Sequence, residues 1–340
     1  MNLERTPQPE RLAAIVRRFP QCKIVVIGDA VADQFLYGEI TRVSREAPVF
    51  ILRHEQTVTA PGGAANCAAN LAALGARAEI IGVVGRDEAG RALLDKLREA
   101  GVGCKGVVTV TGQRTTTKVR ILAGQVHSTR QQVIRIDYET EPLRDEKVRD
   151  ELRTRLREEA EDADAVIISD YNYGVADAVM AAAVREATQA RGIPVLVDSR
   201  FRLSHFNDFT SATPNEDEVE QLLGGQLTET AKLEAAGVEL RERLGYHALL
   251  VTRGNRGMML LERGAHPLHI EAVGAREPVD VTGAGDTVIA TYTLALASGA
   301  GFPEAAHLAN HAGGLVVMKR GTASVNRQEL LSSVLRREAT

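Results

Sequence analysis

Five short apolar runs recur along the chain, and each leads into or ends on Gly, Asp, Ser or Tyr: "KIVVIGD" (23–29), "AEIIGVVG" (78–85), "ADAVIISDY" (163–171), "IPVLVDS" (193–199) and "HALLVTRG" (247–254). Runs so short and so rich in Val and Ile, apolar on both alternating faces, are strands that must be covered on both sides. Helical patterns lie between them. "GAANCAANLAALG" (63–75) carries small and apolar residues at helical spacing and stops at Gly75. "DEAGRALLDKLREAG" (87–101) opens on acids and closes on Gly101, which suits the helix dipole and the C-cap. Further helices are expected near 144–160, 175–191, 229–245, 283–298 and 303–319. Strands alternating with helices predict an α/β protein with a mostly parallel central sheet between helical layers.

Two segments break that rhythm. Residues 33–60 and 107–137 alternate polar and apolar side chains and are rich in Thr and Val, the pattern of antiparallel strands exposed on one face. Together they predict a small β-lid on a main domain formed by about 20–32, 61–106 and 138–335. No Pro-, Gly- or Ser-rich linker divides the 340 residues, so a single domain, 1–340, is expected. The charge balance narrows the partners: 41 Lys and Arg against 45 Asp and Glu give a net charge of −4, with no Trp, so there is no basic field or stacking platform for nucleic acid. Cys22, Cys67 and Cys104 are widely spaced and form no CxxC pair, which argues against a disulfide framework or zinc site and for a reducing cytoplasm. The first twenty residues carry charges throughout, so no export signal is expected. The longest uncharged apolar stretch, near 287–301, is too short to span a bilayer. The eight histidines show no metal-ligand spacing, and "HPLH" (266–269) reads as a hairpin edge.

The stretch "EPVDVTGAGDTVIATY" (277–292) concentrates the chemistry. A helix beginning near Gly283 leaves its first amides without intrahelical partners. Gly283, Ala284 and Gly285 place almost nothing in front of those amides, so an anion can approach the positive end of the helix. Asp286 then sits in the first turn. An acid beside an anion hole suits phosphoryl transfer to an alcohol: the acid accepts the hydroxyl proton, and the amides stabilise charge on the moving group. Residue chemistry alone leaves open a plain helix start with a capping acid and a tight glycine turn. "GDAVAD" and "PGGAAN" do not fit GxGxxG with an acid about twenty residues later, so dinucleotide binding is set aside.

"DVTGAGDT" (280–287) resembles the C-terminal signature of the ribokinase-like (PfkB) sugar kinases, and "PGGAANCAANLAALG" (61–75) resembles their N-terminal signature. "GDAVADQF" (28–35), "TPNEDE" (213–218) and "VTRGNRGMML" (251–260) are similar to further elements of that family, in the family's order. The resemblance spans roughly residues 23–325. It implies the ribokinase-like three-layer α/β/α fold with a β-sheet lid, and ATP- and Mg²⁺-dependent transfer of a γ-phosphoryl group to a sugar. Within the family, "TRVSREAPV" (41–49), "TTTKVRI" (115–121), "QQVIRIDYE" (131–139), "SDYNYG" (169–174) and "LANHAGGLVVMKRGTASV" (308–325) resemble the heptose-7-phosphate kinases of lipopolysaccharide precursor synthesis. Two features depart from that pattern: Arg45 stands where Pro is expected, and "LAGQVHST" (122–129) looks like an insertion in the lid. No HxGH-type motif is present, so the nucleotidyltransferase domain fused to some relatives is not expected.

The resemblance implies roles. Asp286 is the base, with Gly283, Ala284 and Gly285 as the anion hole. Asp33, Gly62, Gly63 and Asn66 contact the sugar; Asp29 either joins them or orients its loop, and Asp170 of "SDYNYG" is a further sugar-side acid. Arg42, Lys118, Arg120 and Arg135 are candidates for a substrate phosphate, each otherwise a solvated strand charge. Arg45 is also weighed there. Asn215 and Glu218 serve Mg²⁺ and phosphate, through water or as a mere capping pair. Thr252, Gly254, Gly257 and Asn310 border the nucleotide. Asp280 and Thr282 leave room for a monovalent cation, K⁺. A homodimer through the lid is expected. The alternatives are a related kinase for fructose, ribose, another sugar phosphate or a nucleoside, and a non-catalytic ligand sensor on the same fold.

Overall fold

The computed structural model describes residues 7–124, 130–225, 227, 229–274 and 277–336. A nine-stranded sheet forms the centre, and the first apolar run is one of its interior strands. β1 (Lys23–Gly28) leads into β2 (Ala30–Val43) and β3 (Phe50–Gly63), then α2 (Ala64–Ala73), after an N-terminal α1 (Pro9–Arg18). There follow β4 (Arg77–Gly85), α3 (Glu88–Glu99), β5 (Gly103–Val110), β6 (Thr117–Gly124), β7 (Gln131–Tyr138), α4 (Glu146–Ala160), β8 (Ala165–Asp170), α5 (Ala178–Gln189) and β9 (Val195–Ser199). The chain closes with β10 (Ser211–Ala212), α6 (Glu216–Leu223), α7 (Thr230–Arg243), β11 (Ala248–Thr252), β12 (Met258–Glu262), β13 (Leu268–Ile270), α8 (Ala284–Ala297), α9 (Phe302–Val316) and α10 (Arg327–Leu335). The strand order is β13-β12-β11-β10-β9-β8-β1-β4-β5, parallel from β11 to β5, with β12 and β13 antiparallel at one edge.

Period-two alternation splits β1 between two cores. Ile24 and Val26 pack with α1, α2, α8, α9 and α10, whereas Val25 and Ile27 pack with α4, α5 and α7. Each layer covers one face, which is why continuous apolar runs work as strands here. The amphipathic α1 was not foreseen; its Leu12, Ile15 and Val16 join the core that also holds Leu330 and Val334 of α10. Among the described residues no helix is long and apolar enough to cross a membrane.

The lid is a second sheet of order β3-β2-β6-β7. The reading as wholly antiparallel is corrected. β2/β3 and β6/β7 are antiparallel, but β2 and β6 run parallel, with Asp33 opposite Lys118 and Phe35 opposite Arg120. The chain returns to the main sheet between β3 and β6, and that long crossover allows a parallel pair. The expected lid segment 107–137 also divides. Val107–Val110 belong to β5 at the edge of the large sheet, where one face is covered and the sequence therefore alternates like a lid strand. Of the expected insertion 122–129, Leu122–Gly124 extend β6, while 125–129 lie outside the described residues.

Candidate active site

The C-terminal ends of β1, β8, β9 and β11 converge on one cleft, where open α/β sheets place their ligands. At its centre is a cavity of about 240 Å³ lined by Asp33, Gly63, Lys118, Arg120, Tyr171, Asp198, Arg200, Asn215, Glu218, Thr252 and Thr282–Asp286. An adjoining apolar slot of about 200 Å³ is bordered by Thr252, Gly254, Gly257, Met258, Val288 and Asn310. Residues Ala284 and Gly285 line both.

Asp286 occupies the first turn of α8 and is 4% exposed. Its Oδ2 accepts from Asn66 Nδ2 at 2.7 Å and its Oδ1 from the Tyr171 hydroxyl at 2.9 Å. Burial pushes its carboxyl up to about 6, against the pull of those two donors and of Arg200. Gly283 has φ +76°, and a Cβ there would lie 2.5 Å from Asn66 Nδ2, so the turn and the close approach both require glycine. A Cβ on Gly285 would meet nothing within 4 Å, so the space before the helix is open. Among the described residues, the amides of Gly283, Gly285 and Asp286 have no protein acceptor; the Ala284 amide donates to the Val281 carbonyl at 3.2 Å. Of the residues expected to form an anion hole, Ala284 differs in that a local turn already satisfies its amide.

On the lid side, Asp33 is buried and paired with Arg120, Nη1 to Oδ1 at 2.6 Å. Gly62 packs beside it: a Cβ there would sit 2.8 Å from Asp33 Oδ2. Lys118 faces the cavity, and burial together with Arg200 pulls its ammonium below the usual value. Asn215 and Glu218 form a reciprocal capping box at 2.8 Å in each direction while also lining the cavity. Burial lifts Glu218 to about 7 and, with Glu218 and Asp286 nearby, holds Asp198 well above the ordinary carboxylate value. Asn310 donates to the Glu271 carbonyl at 2.7 Å beside the apolar slot.

Several expected contacts lie elsewhere. Asp29 is 2% exposed and both its carboxylate oxygens are engaged, accepting from the amides of Tyr171, Tyr173 and Val175 at 2.8–3.0 Å. It anchors the 171–175 loop and does not line the cavity; β1 lies beside β8, which brings it under that loop. Asp170 is likewise taken up, by Arg202, by Ser199 Oγ at 2.7 Å and by the Asn172 amide at 3.0 Å. Asn66 donates to Asp286 and does not line the cavity, and Asn70 donates to it in turn at 3.1 Å. Arg42 and Arg45 are exposed on the β2–β3 end of the lid, and Arg135 is exposed and paired with Asp137 at 2.9 Å. These three do not line the cavity, because the lid strands extend beyond it. Asp280 accepts from the Thr282 and Gly321 amides, both at 2.9 Å; burial raises its carboxyl, but these bonds outweigh it and hold it below the usual range.

Sequence reasoning did not single out Tyr171, Asp198 or Arg200. Arg200 stands 4.7 Å from the Tyr171 ring centroid, and Lys118 Nζ 5.7 Å from it. The available signal was position, since all three fall at the ends of buried strand runs, where cleft residues collect.

A buried acid at a helix N-terminus, open amides beside it and an apolar slot adjoining a polar cavity define a phosphotransferase that acts on a hydroxyl group. The pfkB family carbohydrate kinase model matches residues 21–329, and the chain belongs to that family. It is similar to the bifunctional protein HldE of Pseudomonas aeruginosa (strain UCBPP-PA14), with 41% identity over 324 residues, and to that of Pseudomonas putida (strain GB-1), with 41% over 329. Both matches cover 95% of this chain, which spans 66% of the length of these curated relatives. Among solved structures, Arabidopsis thaliana ribokinase complexed with ribose and ATP aligns with a TM-score of 0.72 and 23% identity, and Escherichia coli phosphofructokinase-2 in complex with potassium with 0.75 and 21%. Each alignment covers 93% of this chain and 99% of the other. At these identities the likeness is one of fold.

Proposed function

We propose that the chain is an ATP- and magnesium-dependent kinase that phosphorylates D-glycero-D-manno-heptose 7-phosphate at its anomeric oxygen. The observation that carries the reading is Asp286 set beside three free amides, with Lys118 and Arg200 in the same cavity. Asp286 accepts the proton of the acceptor hydroxyl as the oxygen attacks the γ-phosphorus. The amides of Gly283, Gly285 and Asp286 take charge from the phosphoryl oxygens. Asp33, held by Arg120, hydrogen-bonds sugar hydroxyls across from the base.

The apolar slot beside Thr252, Gly254, Gly257 and Asn310 suits an adenine ring, and its shared wall at Gly285 leads into the cavity. The donor set also suits Mg²⁺. The Thr213 hydroxyl is buried without a partner on the same cavity wall, and Glu218 is an acid that burial keeps short of full ionisation. Among the described residues no cluster of three or more metal-ligating side chains occurs, in keeping with an ion bound largely through water and phosphate. Asn215 and Glu218 would hold it, and bound there it would neutralise charge on the transferred group. Asp280 and Thr282 would meet K⁺ where the 279–283 and 319–324 loops join.

The heptose phosphate assignment rests on the 41% identity over most of the chain and on the Lys and Arg that face the cavity from the lid and β9. The exposed Ile134, Ile136 and Tyr138 of β7 support a homodimer through the lid, and the charge pattern and cysteine spacing support a cytoplasmic enzyme. A panel of sugars, each with and without a terminal phosphate, incubated with ATP and Mg²⁺, tests the reading. Phosphorylation of the heptose 7-phosphate at C1 with the highest kcat/KM is expected. Equal or better use of unphosphorylated sugars, or no transfer to any of them, would overturn it.

A further inference from the structure

We propose that Tyr171 is a positioning residue for the phosphoryl-transfer base: its hydroxyl, on a ring that both Lys118 and Arg200 stand over, aims the cavity-side oxygen of Asp286 and keeps that carboxylate ionised. The proposal rests on the kinase reading above.

The two donors to Asp286 differ in place. Asn66 binds Oδ2 from α2 and does not line the catalytic cavity, whereas Tyr171 binds Oδ1 and does. The oxygen that an acceptor hydroxyl must meet is therefore the one that Tyr171 holds. A carboxylate oxygen accepts more than one hydrogen bond, so Tyr171 and the acceptor can share it.

The ring is fixed from several sides. Its backbone amide donates to Asp29 Oδ2 at 2.8 Å. The Asp29 carbonyl accepts from the amide of Ala64, the first residue of the helix that carries Asn66, at 3.1 Å. Both donors to the base thus hang from one buried aspartate. Lys118 of the lid and Arg200 of the main domain both stand over the ring, which couples the lid to the orientation of the base.

The other ionisable groups around Asp286 are Asp33 from β2, Lys118 from β6, Asp198 and Arg200 at the end of β9, Glu218 of α6 and Cys67 of α2. Arg120 is matched by Asp33. Tyr171→Phe leaves all of them in place and removes one donor. Burial and the nearby acids raise the Tyr171 phenol far above its ordinary value, so the hydroxyl remains a donor throughout the working pH range.

The test is the pH profile of kcat/KM for sugar phosphorylation by the wild type and Tyr171→Phe. The acid limb, near 6 in the wild type, should move up by about one unit, so that activity at pH 6 falls about fivefold while the plateau above pH 8 stays within about threefold. An unmoved acid limb, or an equal loss at every pH, would overturn the proposal. A second readout needs no sugar: the ¹³Cγ titration of Asp286 in the free protein, assigned with Asp286→Asn. Its midpoint should rise in Tyr171→Phe and fall when 3-fluorotyrosine, a stronger donor, replaces Tyr171; identical midpoints would refute the role. Because this titration is independent of the acceptor, it separates failure of the positioning role from failure of the heptose phosphate assignment.

Discussion

Replacing Asp286 with asparagine should inactivate the enzyme and at the same time stabilise it. The carboxyl rises from 3.8 to about 6 on folding, chiefly through burial. At 1.36 kcal/mol per unit, the ionised side chain costs the folded state about 3 kcal/mol at neutral pH. The sign follows from the direction: an acid whose folded value lies above its unfolded one favours folding when protonated. Its contribution is full below about pH 4 and is lost as pH rises through 6. Asparagine has the same shape and carries no charge. Its carbonyl can accept from Asn66, and its amide can donate to the Tyr171 hydroxyl, whose own hydrogen then turns to water in the cavity that Tyr171 lines. A chain of 340 residues has an unfolding entropy of about 0.7 kcal/mol/K, so 3 kcal/mol corresponds to about 4 °C in Tm. Calorimetric melting of wild type and Asp286→Asn from pH 4 to 8 is the assay. The two Tm values should coincide near pH 4 and diverge to about 4 °C by pH 7. Asp29 titrates in the same window but in both proteins, so it cancels. Turnover should fall by about 10²–10⁴ at every pH, as expected for a lost general base. Parallel Tm curves would refute the buried-charge reasoning, and a rate loss under tenfold would refute the role of the base.

Arg120→Met should leave Asp33 buried without its cation and cost about 3–5 kcal/mol in denaturant unfolding, with a raised KM for the sugar and an unchanged KM for ATP. Equal stability would mean that Asp33 is not held by this pair. Gly63→Ala would force a Cβ to within 2.6 Å of the Asp29 carbonyl at φ +57°, so a loss of about 1–3 kcal/mol is expected, together with a fall in kcat, since Asp29 anchors both donors to the base. Wild-type Tm and kcat in that variant would show that the anchor does not matter.

Much of the fold was legible because burial patterns are local. The five apolar runs became β1, β4, β8, β9 and β11, and the helices between them start and stop within a few residues of their capping signals. The glycine turn ahead of Asp286 was legible for the same reason, since a helix N-terminus announces its free amides in consecutive residues. The lid misled where local pattern is ambiguous: an edge strand covered on one face, β5, alternates as a lid strand does.

Partnership was not legible. Asp29, Asp170 and Asn66 carry the same side-chain chemistry as sugar ligands, yet each is engaged by residues 29 to 220 positions away in the chain or by the loop after β8. Tyr171 and Arg200 drew no attention as single letters, and they gained their place only when β1, β8 and β9 were laid side by side. By itself, then, the sequence determined the layers, the helix start and the place of Asp286 in its first turn, because these depend on spacing and on propensity within a few turns. Which polar groups face the cavity and which are consumed inside the protein was decided by the strand order, because a buried carboxylate or amide bonds to whatever donor the sheet brings within 3 Å, and that neighbour lies far away along the chain.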